Sequence, residues 1–318
     1  MSSHLLSGMA AGVLTSALLH PLDVLKVKFQ VQDGVVNRVQ YRSLPSAVAG
    51  LWRSGGVRSF YRGVFPALWG SGVSWGLYFF FYESCKRRLA AGQGGEGGVA
   101  AAGQQAQLAP PPLSATQLAY AAWEGGTITC LFTNPIFLVK TRMQLQGGGE
   151  GAAAALPPYR SMAHAFACIL RDEGVRGLYR GLVPALLLTS HGVVQFVTYE
   201  LIKRSNSASA SSSSSSSSSS TAPSNGMAQL FSAGLVSKVA ATVLTYPYQV
   251  TKSRLQQRFA GAPEYTSFLD VVRKILAREG VAGFYKGMLA NLLRVAPQSA
   301  LTLVTYEVVQ QTLSTVGV

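Results

Sequence analysis

The sequence predicts an all-α membrane protein: six transmembrane helices in three tandem pseudo-threefold repeats, each with a short amphipathic surface helix. Three observations carry this. Of the 318 residues only 13% are charged and 48% are hydrophobic, where a soluble chain carries about 25% charged. Three short motifs recur in the same order along the chain. Six apolar segments, two to each recurrence, are long enough to cross a bilayer as helices, which takes about 20 residues.

The first motif starts at Pro21, Pro135 and Pro247. Lys26, Lys140 and Lys252 stand five residues on, Lys28, Arg142 and Arg254 seven on, and Gln30, Gln144 and Gln256 nine on. The second motif runs from Glu173-Gly174 to Tyr179-Arg180-Gly181 and from Glu279-Gly280 to Tyr285-Lys286-Gly287. Its first copy runs from Gly55-Gly56 to Tyr61-Arg62-Gly63, with glycine at the place of the acid. The third motif closes each copy: Tyr82-Glu83 with Lys86, Tyr199-Glu200 with Lys203, and Tyr306-Glu307 with Gln310. A fixed-order pattern at this period marks internal repeats.

The repeats occupy residues 1–89, 113–204 and 226–318. Between them, 90–112 is rich in Gly, Ala, Gln and Pro, and 205–225 contains Ser211 to Ser220 without interruption. Such tracts bury no core and are expected to be disordered tethers. The apolar segments fall near 5–32, 66–88, 115–146, 183–204, 227–258 and 290–312. Gly, Ser, Thr and single charges interrupt them, as in helices that pack closely and line a wet path. Gly8 with Gly12 and Ala122 with Gly126 make small-residue pairs; the third repeat has Gly234 and Lys238 there. Met162 to Arg171 and Phe268 to Arg278 read as amphipathic surface stretches. The Arg-rich loops inside the helix pairs belong on one face of the membrane.

The net charge of +14 is compatible with nucleic acid, a membrane surface or an anionic solute. The basic residues are spread through apolar segments and short loops, which argues against nucleic acid. Cys85, Cys130 and Cys168 are too few and too widely spaced for a disulfide framework. His4, His20, His164 and His191 show no metal spacing, and no nucleophile with a base, paired carboxylates or phosphate-cradling loop stands out. The chain is therefore expected to be neither an enzyme nor a metalloprotein, and to need no cofactor. The apolar start near Leu5 leads into a charged motif rather than a cleavage site, so any organellar address is expected to be internal.

One ladder marks a polar lumen. His191, Gln195 and Tyr199 stand four residues apart on one helix face; Ser74, Tyr78 and Tyr82, and Gln298, Thr302 and Tyr306, are their counterparts. All nine can hydrogen-bond.

These motifs resemble the mitochondrial carrier family over the whole chain apart from the two links. Within it, Val73 to Tyr82, Thr133 to Arg142, Ser190-His191-Gly192 and Leu244 to Val250 are similar to the folate and flavin-nucleotide carrier branch. That branch usually has tryptophan where Phe137 stands. The resemblance implies alternating access between two gates. On the matrix side Asp23 would pair with Lys140, Gln249 would hydrogen-bond Lys26, and Phe137 would face Lys252 with neither kind of bond. Gln30, Gln144 and Gln256 would brace these contacts. On the cytoplasmic side Glu83 would pair with Lys203, Glu307 with Lys86 and Glu200 with Gln310, braced by Tyr82, Tyr199 and Tyr306. An alternative is that these charges only fix helix register.

The resemblance also implies solute contacts at Gly70, Leu187-Leu188 and Arg294. Gly70 would leave room for a large ring, the leucines would form an apolar wall, and Arg294 would grip a carboxylate or phosphate unless it snorkels to an interface. Lys238 shares a helix face with Lys252; it is either a second anion anchor or a packing residue with its head in the lumen. Tyr78, with Trp69 and Trp75, would stack a ring or serve packing. His191, Gln195 and Gln298 complete the candidate site. The expected cargo is folate or a flavin nucleotide such as FAD, alternatively NAD or a pyrimidine nucleotide; a non-transporting receptor or scaffold is the third reading. The expected setting is a multi-pass monomer in the mitochondrial inner membrane, or alternatively the plastid envelope, with membrane lipid and a small anionic solute as partners.

Overall fold

The computed structural model describes residues 2–34, 41–93, 114–146, 156–212, 223–259 and 263–295, with 297–298, 301, 304–305 and 308 beyond them. Among the described residues the regular structure is entirely helical. In chain order the helices are α1 Ser2–Gln30, α2 Leu44–Gly55, α3 Val57–Phe60, α4 Val64–Gln93, α5 Ala115–Leu145, α6 Met162–Asp172, α7 Gly174–Leu178, α8 Leu182–Leu187, α9 His191–Ser212, α10 Pro223–Leu255 and α11 Phe268–Glu279. A twelfth, α12, covers 288–295 and continues through the scattered described positions after it.

The long helices are α1, α4, α5, the α8–α9 unit and α10. A 3-10 turn, Leu188–Ser190, joins α8 to α9, so the fourth segment is bent at Leu187-Leu188. Pro21, Pro135 and Pro247 lie inside α1, α5 and α10, where each removes one backbone bond and permits a bend. α4 packs along α5 and α9 along α10, while α1 touches α5 and α10.

Each amphipathic helix begins the same way. Ser43, Ser161 and Ser267 sit in extended backbone and cap α2, α6 and α11, accepting from the amides of Ser46, His164 and Asp270. Such a cap is worth about 1 kcal/mol. The buried stripe then repeats at i and i+4: Ala47 and Leu51, Ala165 and Ile169, Val271 and Ile275. These pack on Val24 and Leu25, on Leu138 and Val139, and on Val250. Each surface helix is thereby fixed to the first long helix of its own repeat.

Two expectations change here. α4 runs to Gln93 and α9 to Ser212, into stretches expected to be tethers. Nothing there stops a helix, since serine costs only about 0.5 kcal/mol relative to alanine; the rest of both links lies outside the described residues. Secondly, among the described residues one stretch, Gly174–Lys203, is long and apolar enough alone to cross a membrane, with a mean hydropathy of 1.4. Charged and hydroxyl side chains on the inner faces of the other long helices lower their mean hydropathy.

Candidate functional site: a cationic lumen closed at its proline end

The three proline motifs bring their side chains together at one end of the bundle. Lys140 Nζ donates to Asp23 Oδ2 at 3.1 Å. Lys26 Nζ donates to Gln249 Oε1 at 2.8 Å. Lys252 Nζ stands 5.5 Å from the centre of the Phe137 ring, a cation–π contact. Phe137 is therefore a partner for Lys252, contrary to the expectation of no bond: the π face supplies the negative potential that a carboxylate supplies to Lys140.

Below this ring the glutamines are unequal. Ser253 Oγ donates to Gln30 Oε1 at 2.7 Å, and Thr141 Oγ1 to Gln256 Oε1 at 2.9 Å. Each glutamine takes its hydroxyl from the preceding repeat, six residues past the proline. The corresponding residue for Gln144 is Val27, and both polar atoms of the fully buried Gln144 lack a partner among the described residues. The expected bracing role of Gln144 thus fails for want of a hydroxyl. Val27→Thr should supply it and stabilise the protein by about 1 kcal/mol, read as a raised melting temperature in detergent; an unchanged or lower value would mean that Gln144 is satisfied otherwise.

The second basic residue of each motif buttresses the ring from outside. Arg142 is gripped by both oxygens of Glu173, and Arg254 by both oxygens of Glu279 at 2.5 and 2.8 Å. Their Nε atoms reach the carbonyls of Gln256 and Gln30 at 3.2 and 3.1 Å, stitching the second repeat to the third and the third to the first. Arg180 and Lys286 add second cations to the same glutamates. Burial alone would raise the pKa of Glu173 and of Glu279, but the arginine and its neighbouring cation hold both below the usual range. Their stabilisation is full above the unfolded pKa of about 4.3 and fades as pH falls through the lower folded value. Thermal stability should therefore drop on acidification below about pH 4, and Glu173→Gln should flatten that drop.

Three glycines follow from this stitching. Gly63, Gly181 and Gly287 have φ of 77°, 77° and 82°, the left-handed region that disfavours other residues. A Cβ on them would stand 3.1, 3.3 and 3.0 Å from the carbonyl oxygens of Lys140, Lys252 and Lys26.

A further threefold feature escaped sequence reasoning because its residues differ in type. The residue before each proline ties its helix to the loop of its own repeat. His20 Nε2 donates to Arg62 O at 3.0 Å, Asn134 Nδ2 to Leu178 O at 3.0 Å, and Tyr246 Oη to Lys286 O at 3.1 Å. The signal available was a donor side chain before every proline.

Inside the lumen, Arg294 Nε lies 3.2 Å from Asp23 Oδ1. Arg294, expected to await solute, is held by the gate carboxylate, which serves two cations at once. Lys238 is half-buried, within charge-interaction range of Arg294 and of His191, so these three side chains share one region. Thr245 commits its proton to Ala241 O, so His191 Nδ1 donates to Thr245 Oγ1 at 3.0 Å. Gly70 is buried, and a Cβ there would meet Ile136 at 2.9 Å and Phe137 at 3.5 Å. It is a helix-contact glycine of α4 against α5, not open room for a ring. Leu187 is exposed and Leu188 half-buried at the bend. Tyr78 stacks on Tyr82 at 5.9 Å and meets Trp75 edge-on at 6.2 Å; Trp69 is exposed. Gln195, Tyr199, Glu200 and Gln298 are half-buried.

The opposite mouth is not drawn together in the same way. Glu83 pairs with Lys86 on its own helix at 3.6 Å, both half-exposed. The expected Glu83–Lys203 pair is absent, and the cross-bundle contact seen there is Arg88 with both oxygens of Glu124 at 2.5 Å, joining α4 to α5. Thr302, Tyr306, Glu307 and Gln310 lie outside the described residues.

The family model described as mitochondrial carrier protein matches residues 1–93, 111–208 and 223–317. The chain belongs to the mitochondrial carrier family. Among relatives of this carrier, the Folate transporter 1, chloroplastic, of Arabidopsis thaliana is 42% identical over 304 residues, covering 95% of this chain and 92% of the relative. The Nicotinamide adenine dinucleotide transporter 1, chloroplastic, of the same plant is 32% identical over 97% of this chain and 91% of the relative. A mitochondrial FAD carrier protein of Saccharomyces cerevisiae is 29% identical over 96% of each.

Proposed function

We propose that this carrier spans an organellar membrane six times and moves folate or a flavin nucleotide by alternating access, as a transporter and not an enzyme. The observation that carries the reading is a lumen rich in cations, Lys26, Lys238, Lys252 and Arg294, closed at the matrix gate by contacts that one carboxylate organises. A small anion entering from the open side meets several cations there against the single carboxylate of Asp23. The strong identity to a chloroplast folate transporter favours folate, and the flavin relative keeps flavin nucleotides beside it. Phe65, Phe79, Phe80, Phe132, Phe196 and Leu244 are exposed on the long helices, an apolar surface that suits lipid. The chloroplast and mitochondrial relatives support a setting in a mitochondrial inner membrane or a plastid envelope, where the carrier would act as a monomer.

The NAD reading has its own support in the chloroplast relative named above. Purified carrier in proteoliposomes, loaded and assayed with labelled folate against competing FAD, NAD and UTP, separates the two. Folate or FAD uptake blocked by its own kind and not by NAD is the expected result. NAD uptake that folate fails to inhibit would overturn it, and no uptake of any anion would favour a non-transporting receptor.

A further inference from the structure

A cavity of about 390 Å³ opens between α4 and α5, lined by Ser74, Trp75, Tyr78, Thr129, Cys130, Thr133, Asn134 and Phe137, with Lys252 at its edge. Its size falls in the range of small-molecule sites. Trp75, Tyr78 and Phe137 give it flat apolar walls. The polar groups decide what fits between them.

Ser74, Tyr78 and Lys252 can donate from the other sides of the cavity, but on the α5 wall the polar groups have already spent their protons. Thr129 Oγ1 donates to Gly125 O at 2.7 Å and Thr133 Oγ1 to Thr129 O at 2.8 Å. Both threonines are at least nine-tenths buried. Asn134, exposed by only 1%, uses its Nδ2 on the Leu178 carbonyl, and its Oδ1 has no partner among the described residues. The Leu178 carbonyl accepts only from nitrogen, which fixes the amide orientation. A hydroxyl has one proton and two lone pairs, so what remains to this wall is acceptors. A buried acceptor without a donor is costly. The wall therefore selects a flat ring whose edge carries adjacent N–H donors.

We propose that this cavity is the ring subsite of the carrier and takes the 2-amino-4-oxo edge of a pterin. That edge presents an N3–H and a 2-amino group side by side. A flavin or uracil edge has its N3–H flanked by two carbonyls, which would face lone pairs with lone pairs. The inference rests on the folate reading above and sharpens it: the ring half of the cargo is read by the wall of α5, apart from the cations near Arg294 that attract the acidic half.

The test uses two ligands that differ at one atom, pterin-6-carboxylate and lumazine-6-carboxylate, the second carrying an oxo group in place of the 2-amino group. Binding to the purified full-length carrier is read by ligand-induced thermal stabilisation. Protection of Cys130 from maleimide, in a Cys85→Ser/Cys168→Ser background, locates the ligand. Pterin should bind roughly tenfold or more tightly than lumazine and should shield Cys130. Thr129→Val/Thr133→Val, which keeps shape and removes the hydroxyl acceptors, should bring the two affinities together. Equal binding of both pteridines to the unmodified carrier, or pterin binding that leaves Cys130 reactive, would overturn the subsite. Folate uptake without pterin discrimination would sink the subsite alone. Discrimination without folate uptake would sink the folate reading and leave a pterin site standing.

Discussion

Asp23→Asn is expected to abolish uptake and to destabilise the carrier more than any other single neutralisation in the lumen. Asp23 is the only carboxylate among the described residues that contacts the cations at the proline end of the bundle, holding Lys140 at 3.1 Å and Arg294 at 3.2 Å. The side chains of all three are only about a fifth exposed, at 20%, 21% and 23%, so solvent screens them weakly. Removing one partner of such a pair costs about 3–5 kcal/mol, because the remaining charge is left unpaired. Here two cations are left, with Lys26 adding repulsion. Glu83→Gln provides the contrast: its pair with Lys86 is half-exposed and within one helix, worth about 0.5 kcal/mol or less. Thermal unfolding in detergent compares them directly, and initial uptake rates in proteoliposomes read the consequence. An Asp23→Asn carrier that melts within a degree or two of the parent would show that the gate is held elsewhere.

The second large effect concerns the one buttress that is missing. Lys28 is buried at the position of Arg142 and Arg254, yet forms no ion pair among the described residues, because Gly55 replaces the glutamate. Restoring the acid alone should fail. In the other repeats the residue four past the glutamate is glycine, and a Cβ on Gly177 or Gly283 would come within 2.4 or 2.7 Å of the glutamate Cβ. The first repeat has the inverse arrangement: Ser59 stands at that place, and a Cβ on Gly55 would meet Ser59 Oγ at 2.7 Å. Gly55→Glu is therefore expected to be neutral or harmful. Gly55→Glu/Ser59→Gly should stabilise by roughly 2 kcal/mol through a charge-assisted bond to Lys28. A stiffer first repeat should also slow transport, since matrix-gate opening must part the stitched repeats. If single and double variants melt alike, Lys28 is not short of a partner.

Sequence reasoning reached the threefold repeat, the surface helices and two of the three gate contacts, because equivalent positions impose equivalent geometry. Asp23 with Lys140 and Gln249 with Lys26 followed from laying the family resemblance over that repeat. It set Phe137 against Lys252 but gave the pair no bond, because a search for charge partners passes over a ring. It missed Arg294 on Asp23 because helical spacing within one segment says nothing about the approach of the sixth helix to the first. Gly70 was misread for a related reason: a missing side chain looks like space until the neighbouring helix is in place. His20, Asn134 and Tyr246 were hidden by their different identities. The expected Glu83–Lys203 pair is not formed, since Glu83 finds Lys86 on its own helix instead.

The left-handed glycines have a kinematic consequence. Gly63 rests under the carbonyl of Lys140, Gly181 under that of Lys252 and Gly287 under that of Lys26, so the first repeat bears on the second, the second on the third and the third on the first. Three levers linked in a cycle have no free end. Tilting one is expected to displace the next, so that this end of the bundle opens along one shared coordinate, as three blades of a shutter move on one pivot ring.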